Sequence, residues 1–239
     1  MLQAVHLRKE YNGHTALHNL NLTVNQGEIY ALLGVNGAGK STTVNLFMGF
    51  ITPTSGQAFI NGIEVKPGNT ATKSLVAYIP ENVMLYPHLS GLQNLAFFSG
   101  LSQKNYTERQ LKDLLVRAGL QEHAFSQKVG TYSKGMRQKV GIALALAKQA
   151  RSLFLDEPTS GLDPLASNDF SQIIRQLRAD GMAILMVTYD LFRAKETADR
   201  IGIMSEGRLV KEIEASQVSA AGLEELYLQA ISNQTQAVH

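Results

Sequence analysis

Cysteine is absent from the chain, and with it disulfides, thiolate chemistry and cysteine-bound metals. No apolar run approaches the ~18 residues of a membrane-spanning helix, so work at a membrane requires a second chain to cross it. Charge of one sign is also scarce. Lys and Arg number 22 against 20 Asp and Glu, a formal net charge of +2. That balance lacks the basic footprint of a nucleic-acid-binding protein, and no nucleic acid is expected. The first ten residues carry Arg8, Lys9 and Glu10 without a sustained apolar stretch, so no secretory signal is expected. Internal repeats and low-complexity tracts are missing as well.

What remains is an ordinary globular composition. The 239 residues are 44% hydrophobic and 18% charged, enough for one large α/β domain or a core carrying a small inserted one. "AVHLRKEY" and "LHNLNLTV" alternate like strands, and "GEIYALLG" is apolar enough for a buried one. "KSTTVNLFMGF" has helical spacing, and "GQAFING" and "SLVAYIPE" add strands between Pro and Gly punctuation. From about 89 to 150 three helical stretches follow one another, "SGLQNLAFFSGL", "TERQLKDLLVRAGL" and "KGMRQKVGIALALAKQA", and this region is read as an inserted helical subdomain. "SLFLDEP", "NDFSQIIRQLRADG" and "AILMVTYD" make a strand-helix-strand crossover, which implies a parallel sheet. "RIGIMSEGRLVKEI" reads as two strands around a turn at Ser205 to Gly207. The end, from about 213 to 239, is expected to be the helix "AAGLEELYLQAIS", packed through Leu223, Leu226 and Ile231, and then a frayed tail, "NQTQAVH".

The stretch "GVNGAGKS", Gly34 to Ser41, fits the pattern G-x-x-x-x-G-K-S between a strand and a helix. Glycines there let backbone amides curl around phosphates, and the helix N-terminus adds a favourable dipole. Gly34, Asn36, Gly37, Ala38, Gly39, Lys40, Ser41 and Thr42 are therefore expected at a nucleotide. Lys40 would reach the β and γ phosphates, and Ser41 would offer its hydroxyl to Mg²⁺. "SLFLDE" supplies the partner acids: Asp156 to hold Mg²⁺ through its hydration shell and Glu157 to orient or deprotonate water.

With these motifs in place, the chain resembles, over nearly its whole length, the nucleotide-binding subunit of ATP-binding cassette (ABC) transporters. "TSGLDP", 159 to 164, resembles the family's D-loop, with Asp163 at the position that crosses a dimer interface. "YSKGMRQK", Tyr132 to Lys139, stands where the family signature stands, about twenty residues before the acidic pair, with Ser133 and Gly135 as its matching residues. "LSGLQ", Leu89 to Gln93, matches the signature text better but lies too far upstream, and is read as a helix cap. Tyr11 fits the aromatic that stacks on adenine, and Glu81 of "YIPE" takes the place of the usual Q-loop glutamine, as an acceptor for Mg²⁺ or water.

The family's switch histidine is replaced by Tyr189, and none of the six histidines (His6, His14, His18, His88, His123, His239) lies near enough in sequence to stand in. A phenol can donate one hydrogen bond but is not cationic near neutral pH. A tyrosine turned outward or packed beside the site is the other reading. The resemblance implies a single ABC ATPase domain over 1–239: a P-loop NTPase α/β core with a mostly parallel sheet, an antiparallel β subdomain and the helical insertion carrying the signature. It implies ATP and Mg²⁺ as ligands, and Glu157, Lys40, Tyr189 and Glu81 as catalytic groups. Ser41, Glu81 and Asp156 are the implied metal ligands. It further implies a second copy or a paralogous ATPase subunit as partner, separate transmembrane permease subunits, and a cytoplasmic, peripheral place on the inner face of the cell membrane. Export is favoured over import, and "NVMLYPHLS" after Glu81 is the candidate permease-facing segment, with core packing as its alternative. The competing function is an ATP-dependent clamp or regulatory binding protein with little turnover.

Overall fold

A computed structural model describes residues 1–102 and 104–235, the last three by backbone alone; among these the chain forms ten strands and eight α-helices. Strands β1 (Leu2–Tyr11) and β2 (His14–Val24) form a hairpin whose turn residues Asn12 and Gly13 both have positive φ, 47° and 84°, the conformation that two-residue hairpin turns favour. Strand β3 (Ile29–Leu33) leads through the glycine-rich loop into α1 (Lys40–Phe47). Next come β4 (Ser55–Ile60), β5 (Ile63–Glu64), α2 (Thr70–Leu75) and β6 (Val76–Ile79). The helices α3 (Gly91–Leu101), α4 (Glu108–Arg117) and α5 (Lys134–Lys148) follow. Strand β7 (Ser152–Asp156), α6 (Pro164–Ala179) and β8 (Ala183–Thr188) make the crossover, and α7 (Leu191–Thr197), β9 (Arg200–Ser205), β10 (Arg208–Glu214) and α8 (Ala220–Thr235) close the described chain.

Two sheets result. Strands in the order β2-β1-β4-β5 are antiparallel, whereas the order β10-β9-β3-β8-β7-β6 is parallel except for β10, which turns back along β9 at the edge. Side chains alternate across a strand, and that period divides the core. Ile29, Ala31 and Leu33 of β3 face one apolar cluster shared with α3 to α6, while Tyr30 and Leu32 face another shared with α1 and the antiparallel sheet. The same division holds along β7, with Leu153 and Leu155 on one side and Phe154 on the other. Fully buried parallel strands have no solvent face, which is why their sequences read as unbroken apolar runs.

Several boundaries differ from the expectation. The strand expected over "SLVAYIPE" starts only at Val76. Ser74 and Leu75 complete α2, because Asn69 caps that helix by accepting from the Ala71 amide at 3.0 Å. The helix expected from Asn168 begins at Pro164, where Asp163 caps it and Pro suits the first turn. Helix α7 was not legible; Asp190 starts it by accepting from the Arg193 amide at 2.9 Å. The segment expected from 213 opens as the end of β10, and α8 starts at Ala220 with Leu223 fully buried and Leu226 half-buried. Of the expected frayed tail, Asn233 to Thr235 lie in α8, and the rest falls outside the described residues.

"LSGLQ" is a helix cap. Ser90 Oγ accepts from the Gln93 amide at 3.1 Å while Gln93 Oε1 accepts from the Ser90 amide at 2.9 Å, closing a capping box at the start of α3. One turn on, fully buried Asn94 holds the preceding loop: its Oδ1 accepts from the Tyr86 amide at 2.8 Å, and its Nδ2 donates to Ser90 O at 2.9 Å and Tyr86 O at 3.1 Å. Asn94→Ala strands those backbone groups without water and is expected to cost about 2–3 kcal/mol, read as a lower urea midpoint with an unchanged slope. A loss below about 0.5 kcal/mol, the scale of an exposed surface substitution, would contradict this account of the loop.

Candidate functional site

Strand β3 ends at Leu33, and the chain turns at once into the glycine loop. Gly34 packs under β9: a Cβ there would stand 2.5 Å from Met204 O. Gly39 has φ 104°, and a Cβ on it would meet Ala16 O at 2.8 Å, so neither position tolerates a side chain. The loop is braced from outside, since the Gly207 amide donates to Ala38 O at 2.9 Å and the His18 amide donates to Gly207 O at 2.7 Å. Because its cap is a glycine, α1 has no side chain accepting from its first-turn amides, which leaves those donors to an anion.

Lys40 is only 7% exposed, and its ammonium lies across the loop, donating to Gly34 O at 2.5 Å and Val35 O at 3.2 Å. Burial pushes its pKa down, with Glu157 and then Asp156 acting in the opposite direction. Asn36, Gly37 and Ser41 are exposed, Ala38 is buried and Thr42 half-buried. Ser41 and Asp156 offer oxygen, the donor type that Mg²⁺ takes, and no group of three or more His, Cys, Asp or Glu able to hold a metal occurs among the described residues. Such a set fits a Mg²⁺ ion that arrives with phosphate oxygens and keeps water, the usual arrangement for this cation.

The acids stand where β7 ends beside β8, with Asp156 paired in register with Val187. Asp156 Oδ2 accepts from the Tyr78 hydroxyl at 2.9 Å; burial, then the Asp156 charge and that bond, push the phenol's pKa up. Glu157 has φ 44°, an uncommon conformation for a residue with a side chain. Its amide donates to Val187 O at 2.9 Å, and its Oε2 accepts from Thr188 Oγ1 at 2.9 Å and from the Tyr189 amide at 3.3 Å. Burial raises the Glu157 pKa above the ordinary carboxylate range, against those two bonds and the Lys40 charge.

Tyr189 points elsewhere. It is 55% exposed, and its hydroxyl lies 3.4 Å from Ser160 Oγ. Ser160 Oγ donates to Glu81 Oε1 at 3.0 Å, and Lys134 Nζ donates to the same oxygen at 3.2 Å. Glu81 is thus bound to Lys134 and Ser160. Ser133 caps α5 by accepting from the Met136 amide at 3.2 Å, and buried Gly135 packs beside Leu162 and Ala166. Asp163 is exposed and caps α6, its Oδ1 accepting from the Ala166 amide at 2.8 Å. Tyr11, at the end of β1, is 41% exposed with the Lys9 ammonium 4.8 Å from its ring centre. Phosphate loop, acidic pair and Tyr189 therefore gather at the ends of β3, β7 and β8. Tyr78, Lys134, Ser160 and Thr188 were not singled out in advance, although each lies inside a quoted motif; their partners come from other segments.

On the flank of the sheet is a groove of about 430 Å³, mostly apolar, between the loop after β6 and helices α3 and α5. Val83, Met84, Phe98, Leu101 and Leu144 line it, together with Tyr78 and half-buried Lys148. Met84 is 84% exposed, and Tyr86, Phe97 and Phe98 cluster beside it with ring centres 5.1 to 5.8 Å apart, Tyr86 stacked on Phe98 and Phe97 edge-on to both.

A phosphate loop entering a helix from a parallel sheet, with an acidic pair at the end of the next strand but one, makes this a P-loop NTPase fold. Residues 17–160 match the family model described as ABC transporter. The lantibiotic transport ATP-binding protein SrtF of Streptococcus pyogenes is 34% identical over 227 residues, covering 95% of this chain and 96% of its own. The bacitracin transport ATP-binding protein BcrA of Bacillus licheniformis is 34% identical over 242 residues, covering all of this chain and 77% of its own. A dimeric ATP-binding cassette solved in a post-hydrolysis state with ADP and Pi superposes with a TM-score of 0.79 at 26% identity, covering 90% of this chain and 99% of that one. This chain belongs to the ABC transporter family, as an ATP-binding subunit.

The raised Glu157 pKa carries a stability consequence. The folded chain binds this proton more tightly than the unfolded chain, so ionisation of Glu157 costs stability as pH rises from its ordinary value near 4.5 through the folded pKa. Glu157→Gln removes that cost, keeping an acceptor for Thr188 and the Tyr189 amide. It is expected to melt higher than the parent at pH 7, with the gap closing below about pH 4.5. Equal melting at pH 7 would contradict the desolvated carboxylate.

Proposed function

We propose that this chain is the ATP-hydrolysing subunit of an ABC exporter, acting as a pair with a second copy or a paralogous subunit. It would sit on the cytoplasmic face of a membrane beside separate permease subunits. The observation that supports this most directly is the meeting of the uncapped α1 N-terminus, Lys40, Asp156 and Glu157 at adjoining ends of parallel strands. The family generally hydrolyses ATP, and its named relatives serve lantibiotic and bacitracin transport. No helix among the described residues is long and apolar enough to cross a membrane, so the permease would be a different chain.

Tyr11 stacks on the adenine, and the amides from Asn36 to Thr42 take the phosphates. Lys40 leaves the Gly34 and Val35 carbonyls for the β and γ phosphate oxygens. Ser41, Asp156 and Glu81 are the groups that would hold Mg²⁺, whose charge offsets that of the triphosphate. Glu157, oriented by Thr188 and the Tyr189 amide, takes a proton from the attacking water as the water oxygen bonds to the γ phosphorus and the bridge to the β phosphate breaks. A raised pKa suits that base. Ser133 and Gly135 at the start of α5 meet the γ phosphate held by the other subunit, with Asp163 at the interface. The groove that Tyr78 helps to line receives the permease, and the Tyr78 hydroxyl is bound to Asp156.

Tyr189 sets the rate. Its hydroxyl is engaged near Ser160, so it adds little at the γ phosphate, and hydrolysis is slow. That same contact favours the second reading, a clamp that associates on ATP with little turnover. Tyr189→His is expected to raise kcat by about 10²-fold, the scale of a restored donor, with KM for ATP little changed; equal rates would overturn the assignment. Lys40→Ala is expected to lose MgATP binding in a fluorescent-nucleotide titration, and retained affinity would overturn the phosphate site.

A further inference from the structure

The Glu81 carboxylate lies between segments that are far apart in sequence. Its Oε1 accepts from Lys134 Nζ, on the first residue of α5, and from Ser160 Oγ, in the turn after β7; Ser160 in turn neighbours the Tyr189 hydroxyl. The Lys134 bond, followed by the Ser160 bond, holds the Glu81 carboxyl below the usual carboxylate range. Lys134 also lies over the next residue of the turn, since a Cβ on Gly161 would be 3.8 Å from its Nζ. A cation in the first turn of a helix opposes the helix dipole, so Lys134 gains from a carboxylate placed against it. Buried Gln138, one turn along α5, donates to the Pro158 carbonyl and ties the same two segments together. Both donors sit on Oε1, and a nucleotide-bound cation drawing on the same carboxylate competes with Lys134 for its negative charge.

We propose that Lys134 and Ser160 are positioning residues for Glu81, and that their shared grip is a latch between the loop after β6 and the start of α5, released when MgATP loads. This rests on the ATPase reading above. The latch is weak by design of its surroundings: a half-exposed ion pair shifts an equilibrium by about two- to fivefold, enough to bias loading without blocking it. The loop it restrains leads through Val83 and Met84 into the apolar groove, so release frees the groove wall at the moment the nucleotide is bound.

The chain's lack of cysteine allows spin labels at Asn82→Cys and Thr131→Cys, both exposed positions flanking the latch. In the nucleotide-free protein, Lys134→Met and Ser160→Ala should each broaden the label-to-label distance distribution, and Lys134→Arg should restore the narrow one. The ATP concentration for half-maximal hydrolysis should fall about two- to fivefold in each variant, and the double variant should match the singles rather than multiply them. A parent chain that binds MgATP while the variants leave distances and half-saturation unmoved, or multiply independently, overturns the latch alone. A parent chain that fails to bind MgATP overturns the ATPase reading and the latch with it.

Discussion

Parallel pairing of β3 with β8, and of β8 with β7, places Leu33 beside Thr188 and Asp156 beside Val187. Three strands therefore end level, and the residues that follow them leave the sheet along one edge. A parallel sheet requires long crossover connections, so those residues come from positions 34, 157 and 189 of the sequence. A ligand placed at that edge meets all three connections at once, as is general for open α/β sheets. The two apolar clusters on either side of β3 hold this register, because a shift by one residue would exchange the faces of every side chain on the strand.

Charge at the edge follows from burial. Lys40 and Glu157 are both partly withdrawn from water, and each is driven toward neutrality by that withdrawal while the other resists it. Backbone carbonyls satisfy the ammonium, and a threonine hydroxyl with a backbone amide satisfies the carboxylate. Such groups are poised to exchange these internal partners for phosphate oxygens and water. Glu81, by contrast, is well solvated and ionised, and it pairs with Lys134 from the helical layer. The inner pair suits chemistry, and the outer pair suits movement between layers.

Much of this was legible in the sequence because the signals are local. The fully apolar run before Gly34, the loop's spacing and the acids after "SLFLD" each depend on neighbours within a few residues. Helix starts were less clear where the signal lay in a capping Asp or Asn, as at Asp163 and Asp190, or at Asn69 before a helix of only six residues. The contacts that orient the site were not legible at all. Thr188 on Glu157, Tyr78 on Asp156, and Lys134 with Ser160 on Glu81 join residues 31 to 79 positions apart, and no periodicity encodes such a pairing. Tyr189 shows both sides: its place at the end of β8 followed from the apolar run before it, while the direction of its hydroxyl came only from the fold.

We propose that this edge is half of an ATP site completed by a second subunit. Light scattering on Glu157→Gln, with and without MgATP, tests it most directly. The chain of 26.1 kDa is predicted to scatter as a monomer alone and at about twice that mass with MgATP, since two copies enclosing nucleotide should persist when water cannot be activated. An unchanged mass at saturating MgATP would contradict the claim.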